Sequence, residues 1–223
     1  MPSTAFTTSP RGNRDPAVVA SKLARLNDPP VKPLNDLVRR IDATRHEEST
    51  PWFDPDGGGV AARVLMLLEC PGAKSSRARG SGIISLDNDD QTAENLFTLQ
   101  QEAGLARSWA VNWNIVPWYL PAGTRTANAS AADVRRAAPW LSEVITLLPR
   151  LRVVVLMGRR AQQGWDLYTA AAGSRTDLAT ARCPHPSPLS INPHPENREL
   201  IRAALREAKG VATGPGIRRP RRV

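Results

Sequence analysis

The feature that most constrains the fold is a set of short, unbroken apolar runs, each ending at a turn residue. Arg63-Val-Leu-Met-Leu-Leu-Glu69 and Arg152-Val-Val-Val-Leu-Met-Gly158 are the clearest. A strand with one wet face alternates apolar and polar side chains, whereas a strand covered on both faces does not. These runs therefore predict strands inside a parallel sheet. Ala110-Val-Asn-Trp-Asn-Ile-Val116 and the weaker Leu178-Ala-Thr-Ala-Arg-Cys183 have similar length and add two more. Helical segments fall between them. Asp90 is placed to cap a helix carrying Ala93, Leu96, Phe97 and Leu99 and stopped by Gly104. Ser130 with Asp133 forms a capping box for the next, which Pro139 should restart or kink, and another helix should follow Gly158. The last is expected from about Pro195 to Lys209, closed by Gly210. Alternating strands and helices imply an α/β three-layer sandwich: a central, mostly parallel four-stranded sheet flanked by helices, with ligands at the carboxyl ends of the strands.

At 223 residues and 41% apolar content, the chain is large enough for one domain with a proper core. We expect residues 1–15 to be a disordered tail, 16–210 the domain, with two short helices joined near Asp28 to Pro33, and 211–223 a second, basic tail. No stretch is long and apolar enough for a membrane span, and the N-terminus lacks a signal-peptide pattern, so the expectation is a soluble, cytoplasmic protein without a membrane partner. The two cysteines, Cys70 and Cys183, are too few for a disulfide framework, a four-thiolate zinc site or a four-cysteine iron-sulfur cluster. A net charge of +9 points to a polyanionic partner, nucleic acid first. Four arginines of the terminal IRRPRRV account for part of it, leaving +5 on residues 1–210.

Three unusual segments fall at the expected strand ends. They are Leu68-Glu69-Cys70-Pro71-Gly72, Asn114 to Pro117, and His185-Pro186-Ser187-Pro188-Leu189-Ser190. Together they resemble the uracil-DNA glycosylase superfamily, whose members carry a first motif G-x-(Asp, Asn or Ala)-Pro-(Tyr or Gly), a strand-end Asn and a final His-Pro-Ser. The resemblance covers roughly residues 60 to 205, and Ser81 to Leu105 also looks like the helix-initiating segment of the mismatch-specific branch. It implies a hydrolase of base-excision repair that cleaves the N-glycosidic bond of uracil, or a related deaminated base, in DNA. It implies DNA as partner, no metal or organic cofactor, and a monomer.

The residue chemistry agrees. An asparagine amide offers one donor and one acceptor, matching O4 and N3–H of uracil and mismatching cytosine. Asn114 is the expected reader of the extruded base, against the plainer reading of a strand end tied to a loop. His185, in a loop stiffened by Pro186 and Pro188, is expected to donate to uracil O2 as charge develops on the leaving base, a role the resemblance also implies. Pro71 fixes the turn after the first strand, and Gly72 lets backbone approach a ligand. Ser187 and Ser190 offer small hydroxyls near DNA phosphates, and Leu189 resembles the wedge that fills the hole left by a flipped nucleotide, with packing under the loop as its rival reading. Lys74 and Arg77, with Arg79, make a positive loop beside the site, which is also how an ordinary solvated loop reads.

Two departures stand out. Where many members of the family carry an Asp or Asn that positions the attacking water, this chain has Cys70, and a buried neutral thiol orients water poorly. Like the branch that has Ala there, it precedes the position with a Glu, so Glu69 is expected to assist the water or the cationic sugar unless it caps a helix. Asp87, Asp89 and Asp90 compete for that role, and Cys70 as a nucleophile ranks last. The family's stacking Phe is also missing from Gly82-Ile83-Ile84-Ser85, so Ile84, or Trp118 or Trp52, must serve as the apolar face, while Trp113 belongs in the core. Two other functions remain open from the sequence: a nucleic-acid-binding relative that does not cut, and an α/β hydrolase of nucleosides.

Overall fold

The computed structural model describes residues 9–44, 50–120, 129–172 and 178–214. In chain order these form helices α1 (Pro16–Ala24) and α2 (Lys32–Ala43), strands β1 (Trp52–Phe53), β2 (Val64–Leu68) and β3 (Ile83–Ile84), then α3 (Gln91–Glu102), β4 (Ala110–Asn114), α4 (Ala131–Leu147), β5 (Val153–Met157), α5 (Arg159–Ala172), β6 (Ala179–Cys183), α6 (Pro188–Ile191) and α7 (Asn197–Thr213). Four strands make one sheet in the order β4-β2-β5-β6, and every neighbouring pair is parallel. Leu68 lies opposite Asn114 and Met157 opposite Cys183, so the carboxyl ends are level.

The unbroken apolar runs have a direct cause. Successive strand residues point to opposite faces, and both faces are covered. Leu65 and Leu67 of β2 join Val154 and Leu156 in a core with Leu34, Leu141 and Trp165. Val64 and Met66 join Val153 and Val155 in a second core with Leu99, Ile201 and Leu205. The helices thus form two layers, α2, α4 and α5 on one side and α3 and α7 on the other. The three-layer α/β sandwich expected from the sequence is the fold observed.

Local signals explain the element ends. Asp90 caps α3 by accepting from the Ala93 N–H at 3.0 Å, and the Ser130–Asp133 capping box is complete. Pro139 lies inside α4 without ending it. The β1–β3 pair is parallel, Trp52 opposite Ile83 and Phe53 opposite Ile84; two-residue strands carry too little periodicity to be seen in a sequence.

The boundaries expected for the tails need correction. Within residues 1–15, a single helical turn at Gly12–Arg14 is tied to the domain: the Asn13 N–H donates to Asp87 O, and Arg11 pairs with Glu94 and Asp89. These links are polar, so no apolar period announces them. α7 runs past Gly210 to Thr213 because Ala212 is buried, and its carbonyl accepts from Arg63 and Arg152. Residues 1–8 and 215–223 lie outside the described residues.

Candidate active site

Because the strands are parallel and end level, the turns that leave them converge on one edge of the sheet. There a cavity of about 310 Å3 opens, near the lower end of the roughly 300–1,000 Å3 usual for small-ligand sites. Its walls include Cys70, Pro71, Gly72 and Lys74 after β2, Ile84 and Ser85 of β3 and its exit, Asp90 and Ala93 at the start of α3, Asn112 and Asn114 of β4, and His185 after β6. Eight of the candidate site residues singled out in the sequence, Cys70, Pro71, Gly72, Lys74, Ile84, Asp90, Asn114 and His185, therefore share one space.

Asn114 is 4% exposed, and among the described residues no group hydrogen-bonds to its side-chain amide. Its donor and acceptor remain available to a ligand. His185 is held from several sides. Its Nδ1 accepts from the Ser187 backbone N–H at 3.1 Å, which places the proton of the neutral ring on Nε2. Asn95 Nδ2 donates to Pro186 O at 2.8 Å, binding the loop to α3. Gly158, at φ +90°, lies so close that a Cβ there would sit 2.9 Å from His185 Cβ. Burial pushes the imidazole pKa down to about 4, so the ring is neutral at physiological pH.

Burial, with smaller contributions from Glu69 and Asp133, pushes the Cys70 thiol up to about 12. The thiol is therefore neutral at physiological pH, and among the described residues no base is hydrogen-bonded to it.

Glu69 is not part of the cavity wall. Its carboxylate accepts from the Ala129 N–H at 2.7 Å, one residue before the cap of α4, so its contact is with a helix entry, the alternative weighed in the sequence. The carboxylate on the cavity wall is Asp90, with one oxygen on the Ala93 N–H and the other without a hydrogen-bond partner among the described residues. Asp87 and Asp89 are occupied elsewhere. Asp89 pairs with Arg11 and Arg14, while Asp87, fully buried, pairs with Lys22 at 2.5 Å and Arg107 at 2.7 Å.

That last cluster underlies the site. Lys22 of α1, 1% exposed, reaches Asp54, Asp56 and Asp87, and Ser85 donates to Asp54 at 2.5 Å. Burial raises the Asp54 pKa, but Lys22, Arg107 and the Ser85 hydroxyl outweigh it and bring it to about 2. α1 thereby anchors the chain around β3 that walls the cavity. Nothing in the sequence marks Lys22, which reads as an ordinary helix lysine.

No Phe, Tyr or Trp of the described residues lines the cavity. Trp118, expected as a possible stacking face, is instead 2% exposed inside the α2–α4–α5 core, and Trp52 is covered by Arg77 at 3.6 Å. Trp113 stacks on Phe53 with centroids 4.1 Å apart, in the core as expected. Ile84 alone of the expected stacking residues is in place. Arg77 is also turned away from the role foreseen for it: it pairs with Asp42 at 2.7 Å. Ser187, Leu189 and Ser190 lie outside the cavity lining, on α6 and its entry. Asn197 Nδ2 donates to the Ser190 carbonyl at 2.8 Å and to its hydroxyl at 3.2 Å, while Leu189 is 90% exposed. Asn112 was missed, although period-two alternation with Asn114 puts both on one face of β4.

An α/β sandwich with a largely apolar cavity that carries a few polar groups at the carboxyl edge of its parallel sheet defines a ligand-binding or catalytic domain of the doubly covered sheet class. More narrowly, the sequence model described as the uracil DNA glycosylase superfamily matches residues 55–209, well over half of the chain, and the protein belongs to that superfamily. Curated proteins yield no match to the sequence. The family carries glycosylase-type hydrolase chemistry in DNA repair.

Proposed function

We propose that the protein excises uracil, or a related deaminated base, from DNA. The observation that carries this reading is the convergence of two complementary groups on one cavity: an unengaged Asn114 amide and a neutral His185 with its proton on Nε2. The base leaves the duplex and enters the cavity against Ile84, since the glycosidic bond cannot be reached inside the stack. Asn114 reads O4 and N3–H. As the C1′–N1 bond breaks, its electron pair passes to the base, and His185 donates a hydrogen bond to O2 where the charge gathers. Water adds to C1′, and its proton passes to a carboxylate. Asp90 is assigned that role in place of Glu69, because it is the carboxylate on the cavity wall. Lys74, exposed at the cavity mouth, is left to meet a phosphate, and Leu189 to enter the base stack.

The deciding measurement is turnover on labelled duplex and single-stranded oligonucleotides containing one uracil. Wild type should release the base, while Asn114→Asp and His185→Ala should each lose at least about a hundredfold. Variants that cut at the wild-type rate would sink the assignment. Binding without release by wild type would favour the relative that recognises damage without cutting. Activity confined to free nucleosides would favour the nucleoside hydrolase.

A further inference from the structure

A second cavity, of about 10 Å3, shares Ile84, Leu86 and Asn112 with the first as a common wall. Its polar lining is Asp54, Gln100, Arg107 and Asn112. Gln100, 3% exposed near the end of α3, donates from Nε2 to Leu105 O at 3.2 Å, which turns its Oε1 the other way. That Oε1 is buried without a hydrogen-bond partner, and so is Asn112 Oδ1. Two orphaned carbonyl oxygens on one small space call for a donor, because buried acceptors are almost always satisfied. No neighbouring group bonds to either oxygen. Asp54 is ionised and only accepts, and the three hydrogen bonds of the Arg107 terminal nitrogens go to Asp54 and Asp87 at 2.7–2.8 Å. The space matches one water, which needs about 10–15 Å3 and brings two O–H donors.

We infer that one water molecule sits in this cavity, donating to both Gln100 Oε1 and Asn112 Oδ1, and that the bridge makes Asn112 a second reader of the extruded base. With Oδ1 held from behind, the Asn112 NH2 faces the larger cavity, and no described residue accepts from it. Asn112 and Asn114 stand two residues apart on one strand, so their amides line the same wall. A carbonyl oxygen has lone pairs for two such donors, whereas an exocyclic amine would set N–H against N–H. The ligand class is a base with a keto group where its parent carries an amine, the change that deamination makes. Asn112 thus reinforces discrimination that a single strand-end amide would otherwise carry alone. This inference rests on the reading of function above.

The test combines a high-resolution crystal structure with single-turnover excision of uracil from duplex DNA by the full-length protein. The structure should show one water within hydrogen-bonding distance of both oxygens. Asn112→Leu should lose about tenfold in rate, the worth of one hydrogen bond, and Gln100→Met somewhat less. Because Gln100 acts through Asn112, the double variant should be no slower than Asn112→Leu; a structural role for Gln100 would instead give additive losses. Should Asn112→Leu not fold, Asn112→Ala takes its place. A cavity without that water, additive losses, or an unchanged rate in a folded Asn112 variant would overturn the inference while wild-type excision stands. No excision by wild type would overturn the functional reading and this inference with it.

Discussion

The Ser187 backbone N–H donates to His185 Nδ1 across 3.1 Å, and this bond decides which imidazole nitrogen carries the proton. A protonated ring would carry hydrogen on Nδ1 as well and would lose the contact. Burial acts in the same direction, holding the pKa near 4 against an ordinary 6.5. The neutral donor therefore persists far into acid. Excision limited by His185 should stay level from about pH 8 to about pH 5 and fall only toward pH 4. The stability sign follows from the same shift: between 6.5 and about 4 the unfolded chain binds the proton and the folded one does not, so this group lowers stability as the pH drops through that window. A single-turnover pH series reads the first effect and urea titration the second. A rate that falls with a midpoint near 6.5 would mean that His185 is exposed and titrates normally.

In the proposed mechanism Asp90 takes the role at the water that the family resemblance suggested for Glu69. Asp90→Asn should lose at least about tenfold in excision, with a small stability cost because the amide oxygen can still cap α3. Glu69→Gln should keep most of its rate, since a side-chain oxygen still accepts from the Ala129 N–H. Rate and unfolding free energy measured on both variants check this. A Glu69→Gln enzyme slower than Asp90→Asn would return the water to Glu69.

Lys22→Met should be among the most damaging single changes to stability. It leaves Asp54 and Asp87 facing Arg107 alone in a buried cluster, and breaking such a cluster costs about 3–5 kcal/mol. The effect appears as a lower denaturant midpoint. The acid behaviour carries its own sign: the Asp54 contribution is complete above the ordinary 3.8 and is lost as the pH falls toward 2. A loss under about 1 kcal/mol in Lys22→Met would show the cluster to be solvated.

Much of this architecture is legible in the chain because burial on both faces leaves a plain mark. Leu65 and Leu67 feed one core and Val64 and Met66 the other, so β2 has no polar position, and the same holds for β5. Asn114 and His185 were readable because each falls at or just past the carboxyl end of a strand, within a short unusual segment. What the chain hides is direction. After Leu68 the backbone turns, and spacing does not say whether Glu69 faces the cavity or Ala129. Trp118 illustrates the same gap, being close to the site in sequence yet swallowed by the core. The Lys22 cluster is hidden by distance, since its partners Asp54 and Asp87 lie 32 and 65 residues away.

Leu189 offers a test of how the base is extruded. It is 90% exposed on the four-residue helix α6, so shortening it removes little packing, and Leu189→Ala should change stability by no more than about 0.5 kcal/mol. In the proposed mechanism its side chain takes the place of the departed base. That matters only where neighbouring base pairs would otherwise close the gap. Excision from duplex DNA should fall about tenfold or more, while excision from a single strand, with no stack to hold open, should change little. The two substrates share the chemical step, so their ratio isolates extrusion from catalysis. Equal losses on both would place Leu189 in general DNA contact, and no loss on either would leave extrusion to the cavity residues, with Asn114 and Asn112 drawing the base in from the other side.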